Sequence, residues 1–284
     1  MTIHLKPTRV NETVGFKVYC MSALVGVAGV SMKSPRSRDP ILHVAGVSKA
    51  FGGVAANHDV TVLIEEGAIA GLIGPNGSGK TTLFNSIVGH HKIDRGSVHF
   101  NGHAITGMRE PETARLGVVR TFQQPRVFQG MTCIENMQVS RRWAGEGRLD
   151  LFRTGSPEIR KEALRLLDFM GLSDKRLQVA GTMSFGQQKL LELSMALMSG
   201  AKMLLLDEPT AGINPALIES VIERLRNVNR AMKTTLLLIE HNMHVVMRLA
   251  DYVYCLAEGR ILAQGPPEHV RRRPEVIQAY LGAK

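Results

Sequence analysis

Ala68 to Ile73 is a short apolar run that leads directly into Gly74-Pro75-Asn76-Gly77-Ser78-Gly79-Lys80-Thr81, and Thr82 to Val88 then has helical spacing. A buried strand, a glycine-rich turn and a helix in immediate succession admit few folds. The pattern Gly74-x-x-x-x-Gly79-Lys80-Thr81 is a phosphate-binding P-loop. Its glycines let the backbone fold tightly, so that successive N–H groups point inward at phosphate oxygens. Lys80 supplies a mobile positive charge for β- and γ-phosphates, and the Thr81 hydroxyl can ligate Mg²⁺. The helix that follows points its positive end at the same anion. A glycine-rich turn without a ligand is the alternative, and it leaves the strand before and the helix after unexplained.

The rest of the chain sets the limits. Its 284 residues can bury a sizeable core, and 44% hydrophobic with 21% charged residues is globular composition rather than disordered or coiled-coil. Aromatics are only 5%, which argues against rows of base-stacking rings. The net charge of +10 admits nucleic acid, an anionic membrane surface or a phosphorylated ligand and selects none of them. Cys20, Cys133 and Cys255 are far apart and form no C-x-x-C pair, so a disulfide framework or zinc site is not expected. The longest apolar stretch, Val18 to Ser31, is too short to span a bilayer. With Lys17 before it and Lys33, Arg36 and Arg38 after, residues 1–40 read as a poorly ordered basic leader rather than an export signal.

From Ile41 the texture changes. Leu42 to Val47 and Val60 to Ile64 alternate like half-buried strands, and Val98-His99-Phe100 before Asn101-Gly102 reads as a hairpin. From about Pro111 to Gly181 the pattern is mostly helical, with helices over Ile134 to Trp143 and Pro157 to Met170 and a glycine-rich loop, Gly145 to Gly155, between them. Ser184 to Ser199 and Pro215 to Val228 are helices. Lys202 to Leu206 and Thr234 to Ile239 are buried strands. Tyr252 to Leu256 and Ile261 to Gln264 flank the Glu258-Gly259 turn, and Pro266-Pro267 opens a terminal helical stretch. Apolar strands alternating with helices imply an α/β fold with a largely parallel sheet covered on both faces.

Met203-Leu204-Leu205-Leu206-Asp207-Glu208 is an apolar strand ending in two carboxylates. Beside a P-loop this reads as a Walker B element, in which Asp207 holds Mg²⁺ and Glu208 orients or deprotonates the attacking water. A helix N-cap is the plainer reading of Glu208. Met183-Ser184-Phe185-Gly186-Gln187-Gln188 opens the next upstream helix, and by itself would be only an N-cap.

The order of P-loop, Gln123, S-x-G-Q, D-E-P and then a lone His241 resembles the ATP-binding-cassette ATPases. Ser184-Phe185-Gly186-Gln187-Gln188 is similar to their signature L-S-G-G-Q, with Phe185 for the first glycine and Met183 for the leucine. The aromatic, the stretch Asp207-Glu208-Pro209-Thr210-Ala211-Gly212-Ile213-Asn214-Pro215 and the close from Glu268 to Gly282 resemble the branched-chain amino acid uptake type. The resemblance covers residues 41–284. It implies a P-loop ATPase core with a mixed, mostly parallel sheet, an antiparallel β subdomain, and a helical subdomain inserted at about 111–200.

The resemblance also implies residue roles. Phe51 would stack on adenine. Gly74, Pro75, Asn76, Gly77, Ser78, Gly79, Lys80, Thr81 and Thr82 would bind the nucleotide. Thr81, Gln123 and Asp207 would serve Mg²⁺. Glu208, His241 and Gln123 would carry hydrolysis. Ser184, Gly186 and Gln187 would reach ATP on a second subunit. From the residues alone, Phe51 is equally a core side chain, Gln123 a solvated amide and His241 a capped residue at a strand end. The family's D-loop usually ends in Asp where this chain has Asn214, which leaves open how two ATP sites would communicate. The cofactors implied are ATP and Mg²⁺. The partners implied are a second, different cassette subunit, two membrane permeases seated along Val127-Phe128-Gln129-Gly130-Met131, and indirectly a periplasmic solute-binding protein, with no nucleic acid. The chain would sit peripherally on the cytoplasmic face of the inner membrane and power import of branched-chain or related hydrophobic amino acids. Urea or amide uptake, lipid export and a non-transport cassette ATPase are the alternatives.

Overall fold

The computed structural model describes residues 40–141 and 156–281. The leader expected over 1–40, the loop over 145–155 and the last three residues lie outside or at the edge of that range. The elements run β1 (Leu42–Phe51), β2 (Val54–Ile64), β3 (Ile69–Ile73), α1 (Lys80–Ile87), β4 (Arg95–Phe100) and β5 (His103–Ala104). Next come α2 (Glu110–Leu116), β6 (Val118–Arg120), α3 (Cys133–Arg141), α4 (Pro157–Phe169), α5 (Phe185–Met198), β7 (Met203–Asp207), α6 (Pro215–Met232) and β8 (Thr235–Ile239). The chain then forms α7 (Met243–Leu249), β9 (Tyr252–Ala257), β10 (Arg260–Gly265), α8 (Pro267–Val270) and α9 (Pro274–Leu281).

Two sheets result. The first is antiparallel, in the order β2-β1-β4-β5, and the second has the order β10-β9-β3-β8-β7-β6. In the second, β9, β3, β8, β7 and β6 are parallel to their neighbours and only β10 pairs antiparallel. The parallel strands β3, β7 and β8 are buried at every position, because helices or the first sheet cover both faces. Alternate residues of one strand face two different cores: Leu204 and Leu206 pack with α3, α4, α5 and α6, while Met203 and Leu205 pack with α1 and the antiparallel sheet. Asn101 and Gly102 both have positive φ, which is the type I′ geometry that closes the β4–β5 hairpin.

Three elements differ from the sequence expectation. The helical stretch expected from about 111 starts with α2, but β6 then returns to the central sheet, with Val118, Val119 and Arg120 opposite Met203, Leu204 and Leu205. The inserted helices therefore begin after Arg120. A three-residue strand is too short for alternation to mark it. Helix α7 stands where nothing was expected, started by Asn242, whose Oδ1 accepts from His244 N at 3.0 Å. The terminal helical stretch is split at Arg271–Arg273, because Pro274 has no N–H to continue α8 and instead begins α9.

Candidate nucleotide-hydrolysis site

Strand β3 delivers the chain to the P-loop, and α1 carries it away. Gly79 sits at φ 100, and a Cβ there would meet Ala56 O at 2.1 Å, so glycine is required at the start of α1. Lys80 is buried and curls back over the loop, donating to Gly74 O at 2.9 Å and Pro75 O at 2.8 Å. Burial lowers its pKa, and the nearby carboxylates of Glu208 and Asp207 act against that shift. A cleft opens here, lined by Asn76 through Thr82 together with Ala56, Glu208, Ile239 and His241.

Strand β7 brings Glu208 into the lining of that cleft, with Asp207 directly before it. The Glu208 carboxylate is held from both sides. Gln123 Nε2 donates to its Oε2 at 3.0 Å, and His241 Nε2 lies 2.9 Å from its Oε1. Each oxygen keeps a further lone pair with which to accept from a water. The Glu208 backbone is in the left-handed region, at φ 49. Such a conformation costs about 1–3 kcal/mol and persists where surrounding contacts impose it. Here its N–H donates to Ile239 O at 3.0 Å, and its carbonyl accepts from the buried Lys189 Nζ at 2.5 Å. Glu240, also buried, completes the frame. It accepts from Thr210 N at 3.0 Å and from the Thr210 hydroxyl at 2.6 Å, and its other oxygen accepts from Asn242 N at 3.3 Å. The turns bearing Glu208 and His241 are thereby locked to one another.

The structure thus brings Lys80, Thr81, Thr82, Glu208, His241 and Gln123 to one place. Asp207 lies just behind, paired with Arg120 Nη2 at 2.6 Å. Phe51 is not part of the cleft lining. It stands exposed at the end of β1, edge-on to His91 with ring centroids 5.2 Å apart and with Lys49 Nζ 5.2 Å from its ring. Ser184, Gly186 and Gln187 do not line the cleft of their own chain either. Ser184 caps α5, accepting from Gln187 N at 3.3 Å while the Gln187 side chain accepts from Ser184 N at 3.0 Å. Phe185 lies over Gly212, where a Cβ would come within 2.9 Å of its ring, so the signature and the D-loop pack together. Asn214 caps α6, accepting from Ala216 N at 3.0 Å.

Sequence reasoning missed Lys189, Glu240, Arg120 and Tyr280. Tyr280, on α9, accepts from Gly74 N at 2.8 Å and so braces the first turn of the P-loop from the far end of the chain. Burial pushes its hydroxyl up to about 12. The sequence signal for Glu240 was an acid directly after a largely apolar strand.

Next to Gln123 in the chain lies a groove lined by Phe122, Phe128, Met195 and Ala196 with Arg126 and Glu192. Of the segment Val127 to Met131, only Phe128 lines it. Its backbone is clamped by Asn136, which accepts from Phe128 N at 2.8 Å and donates to Phe128 O at 3.1 Å. Glu192 accepts from Arg126 N at 3.1 Å, tying this segment to α5. Burial pushes the Glu192 carboxyl up to about 7, against the pull of the Arg126 and Phe122 N–H groups and the charges of Lys189 and Arg126. An acid whose pKa is raised on folding favours the fold while protonated, and this contribution is lost as pH rises from about 4.5 to about 7. At 1.36 kcal/mol per pH unit, the ceiling on the loss is about 3 kcal/mol. Glu192→Gln keeps an acceptor without the charge. It is expected to flatten the stability profile over that interval and to raise Tm at pH 8 by a few degrees, about 2–4 °C per kcal/mol. An unchanged slope in thermal melts from pH 5 to 8 would remove Glu192 as the cause.

Comparison with known proteins agrees with this geometry. The model of the ABC transporter family matches residues 57–211. That of the branched-chain amino acid ATP-binding cassette transporter matches residues 260–284. The probable branched-chain amino acid transport ATP-binding protein LivG of Archaeoglobus fulgidus is 39% identical over 251 residues, covering 86% of this chain and 96% of its own length. The high-affinity branched-chain amino acid transport ATP-binding protein BraF of Pseudomonas aeruginosa is 38% identical, covering 86% and 98%. A crystal structure of the ADP conformation of an ATP-binding cassette superposes with a TM-score of 0.77 at 35% identity, covering 86% of this chain and all of that one. The chain belongs to the ABC transporter family as one of its ATP-binding, ATP-hydrolysing cassettes. Its last 25 residues carry the segment that marks the branched-chain amino acid cassettes.

Proposed function

We propose that this chain is the ATP-hydrolysing subunit that powers import of branched-chain or related hydrophobic amino acids through a membrane permease, and that residues 41–284 form the cassette. The observation that carries the catalytic part is the Glu208 carboxylate, fixed between Gln123 and His241 at the mouth of the Lys80 cleft. The solute class rests on the relatives named above and on the C-terminal match.

Hydrolysis at such a site is in-line phosphoryl transfer, driven by positioning and charge stabilisation. The P-loop N–H groups and Lys80 hold the phosphates. Glu208 takes the proton of the attacking water, which Gln123 helps to orient, and His241 contacts the γ-phosphate. Ser184, Gly186 and Gln187 stand outside their own cleft, which suits donation to ATP on a second cassette with the positive end of α5 behind them. The donor set also suits Mg²⁺. Among the described residues no three His, Cys, Asp or Glu side chains gather into a cage, whereas Mg²⁺ on a nucleotide needs only a carboxylate and a hydroxyl beside phosphates and waters. Thr81, Asp207 and Gln123 would serve it, and when bound it supplies charge neutralisation on the phosphates.

Among the described residues no helix is long and apolar enough to cross a membrane, so the transport path belongs to partners. The groove holding Phe128 is the seat for a permease segment, and Gln123 at its edge relays nucleotide state. The assembly we propose has a second, different cassette, two permeases, and a solute-binding protein outside, with this chain on the cytoplasmic face. Gln123→Ala is expected to lower transport per ATP hydrolysed by more than it weakens ATP binding, read in proteoliposomes beside a nucleotide titration. Equal loss of both would refute the relay. The whole reading is tested by purifying the tagged chain from detergent-solubilised native membranes. Recovery with two polytopic permeases, a second cassette and a solute-binding protein whose ligand is a branched-chain amino acid supports it. A binding protein for urea or amides, a lipid-export partner set, or recovery with ribosomes or DNA would replace it.

A further inference from the structure

Arg120 ends β6, three residues before Gln123, and belongs to none of the motifs above. Its side chain is only 6% exposed. One arm of the guanidinium donates through Nη2 to Asp207 Oδ2 at 2.6 Å. The other donates through Nη1 to Asn85 Oδ1 on α1. Asn85 is fixed in turn from its far side, with Nδ2 3.1 Å from His91 Nε2. The guanidinium lies near the rings of Phe84 on α1 and Phe122 beside Gln123, 5.9 and 5.1 Å from their centroids. Its Nε is buried without a hydrogen-bond partner. An orphaned buried donor is a cost, and packing alone gives no reason to bear it. What the position gains is the span of a planar fork, which engages a carboxylate with one arm and an amide with the other and which a lysine cannot reproduce.

We propose that Arg120 is a positioning residue for the metal half of the nucleotide site, yoking the Asp207 carboxylate on β7 to Asn85 on the phosphate-cradling helix α1. The two elements that must meet one Mg–nucleotide complex already share a core through Met203 and Leu205 of β7 and Phe84 of α1. Arg120 adds side-chain hydrogen bonds between them and so fixes where the Asp207 carboxylate stands relative to α1. The inference rests on the reading of Asp207 as the Mg²⁺ residue.

The test is binding of a fluorescent ATP analogue to the full chain, once with excess Mg²⁺ and once with EDTA. The ratio of the two affinities is the Mg-linked gain. Outer-shell partners of a metal ligand typically change metal affinity about 10- to 100-fold. Arg120→Lys, which keeps the charge and should fold, is expected to cut the gain about 10-fold. Arg120→Gln is expected to cut it further, and Asn85→Ala less, with affinity in EDTA unchanged in all three. Should Arg120→Gln fail to fold in thermal melts, the Lys and Asn85 variants carry the result. Equal loss with and without Mg²⁺ marks a purely structural arginine and overturns the proposal. A larger gain in Arg120→Lys shows competition with the ion and also overturns it. If the unaltered chain shows no Mg-linked gain, the metal reading of Asp207 fails, and the proposal with it.

Discussion

Glu208→Gln is expected to bind ATP, to associate stably with a second cassette, and to release almost no phosphate. The substitution changes one thing. The amide keeps the size of the carboxylate and can still accept from one neighbour and rearrange towards the other, so Gln123, His241 and the pinned backbone of Glu208 remain in place. It has no basic oxygen to take a proton from water. General-base catalysis contributes about 10²- to 10⁴-fold, so steady-state phosphate release should fall by at least about 100-fold. Thermal stability should move little, because the left-handed turn is held through the Glu208 N–H and carbonyl rather than through its carboxylate. Trapping follows from the proposed pairing: if ATP joins two cassettes, loss of hydrolysis should leave the pair joined. Phosphate release and gel filtration in ATP check both halves. Turnover within threefold of the unaltered chain would take Glu208 out of the base role and direct attention to His241, which shares its contact.

The same residue shows how far the sequence could be read. Asp207 and Glu208 were visible because a buried strand that ends in two acids beside a P-loop has a chemical meaning within a few residues. Gln123 and His241 have no such local signal. Only the order of motifs singled them out, and the structure places both on the Glu208 carboxylate. Lys189 and Glu240 were not legible at all. A lysine inside a helix reads as solvent-facing, yet Lys189 is buried because the turn after β7 brings the Glu208 carbonyl to its ammonium. Tyr280 illustrates the same limit over a longer span, since its partner Gly74 is 206 residues away. Strands β3, β7 and β8 could be read from composition because each is apolar at nearly every position. Strand β6 could not, since its three residues are strand only by pairing with β7. Phe51, expected at the adenine, stands clear of the cleft lining and against His91. Its stacking role is therefore a matter for nucleotide titration of Phe51→Ala rather than for geometry.

Lys80→Ala should have the opposite character to the Glu208 change, abolishing binding while sparing the fold. The Lys80 ammonium is buried and is met by carbonyl oxygens of Gly74 and Pro75, with the Glu208 and Asp207 carboxylates further off. Its pKa is lowered, chiefly by burial. A base whose pKa falls on folding makes the folded state less stable at pH values below that folded pKa, and the deficit disappears as pH rises through the interval up to its unfolded value. At neutral pH the charged lysine therefore costs stability until a phosphate arrives to match it. Alanine removes that cost, so the Tm of the nucleotide-free variant should equal or slightly exceed that of the unaltered chain. The ligand side moves the other way. Removing one partner of a buried charge pair costs about 2–5 kcal/mol, which is roughly 30- to several-thousand-fold in ATP affinity. At ATP about 30-fold above the Kd of the unaltered chain, the upward shift of Tm should then be largely lost. Differential scanning fluorimetry with and without ATP reads both quantities in one experiment. If Lys80→Ala retains the ATP-induced shift, Lys80 does not bind phosphate. If it melts well below the unaltered chain without nucleotide, the lysine's bonds to Gly74 and Pro75 hold the loop together, and the cost assigned to its burial is wrong.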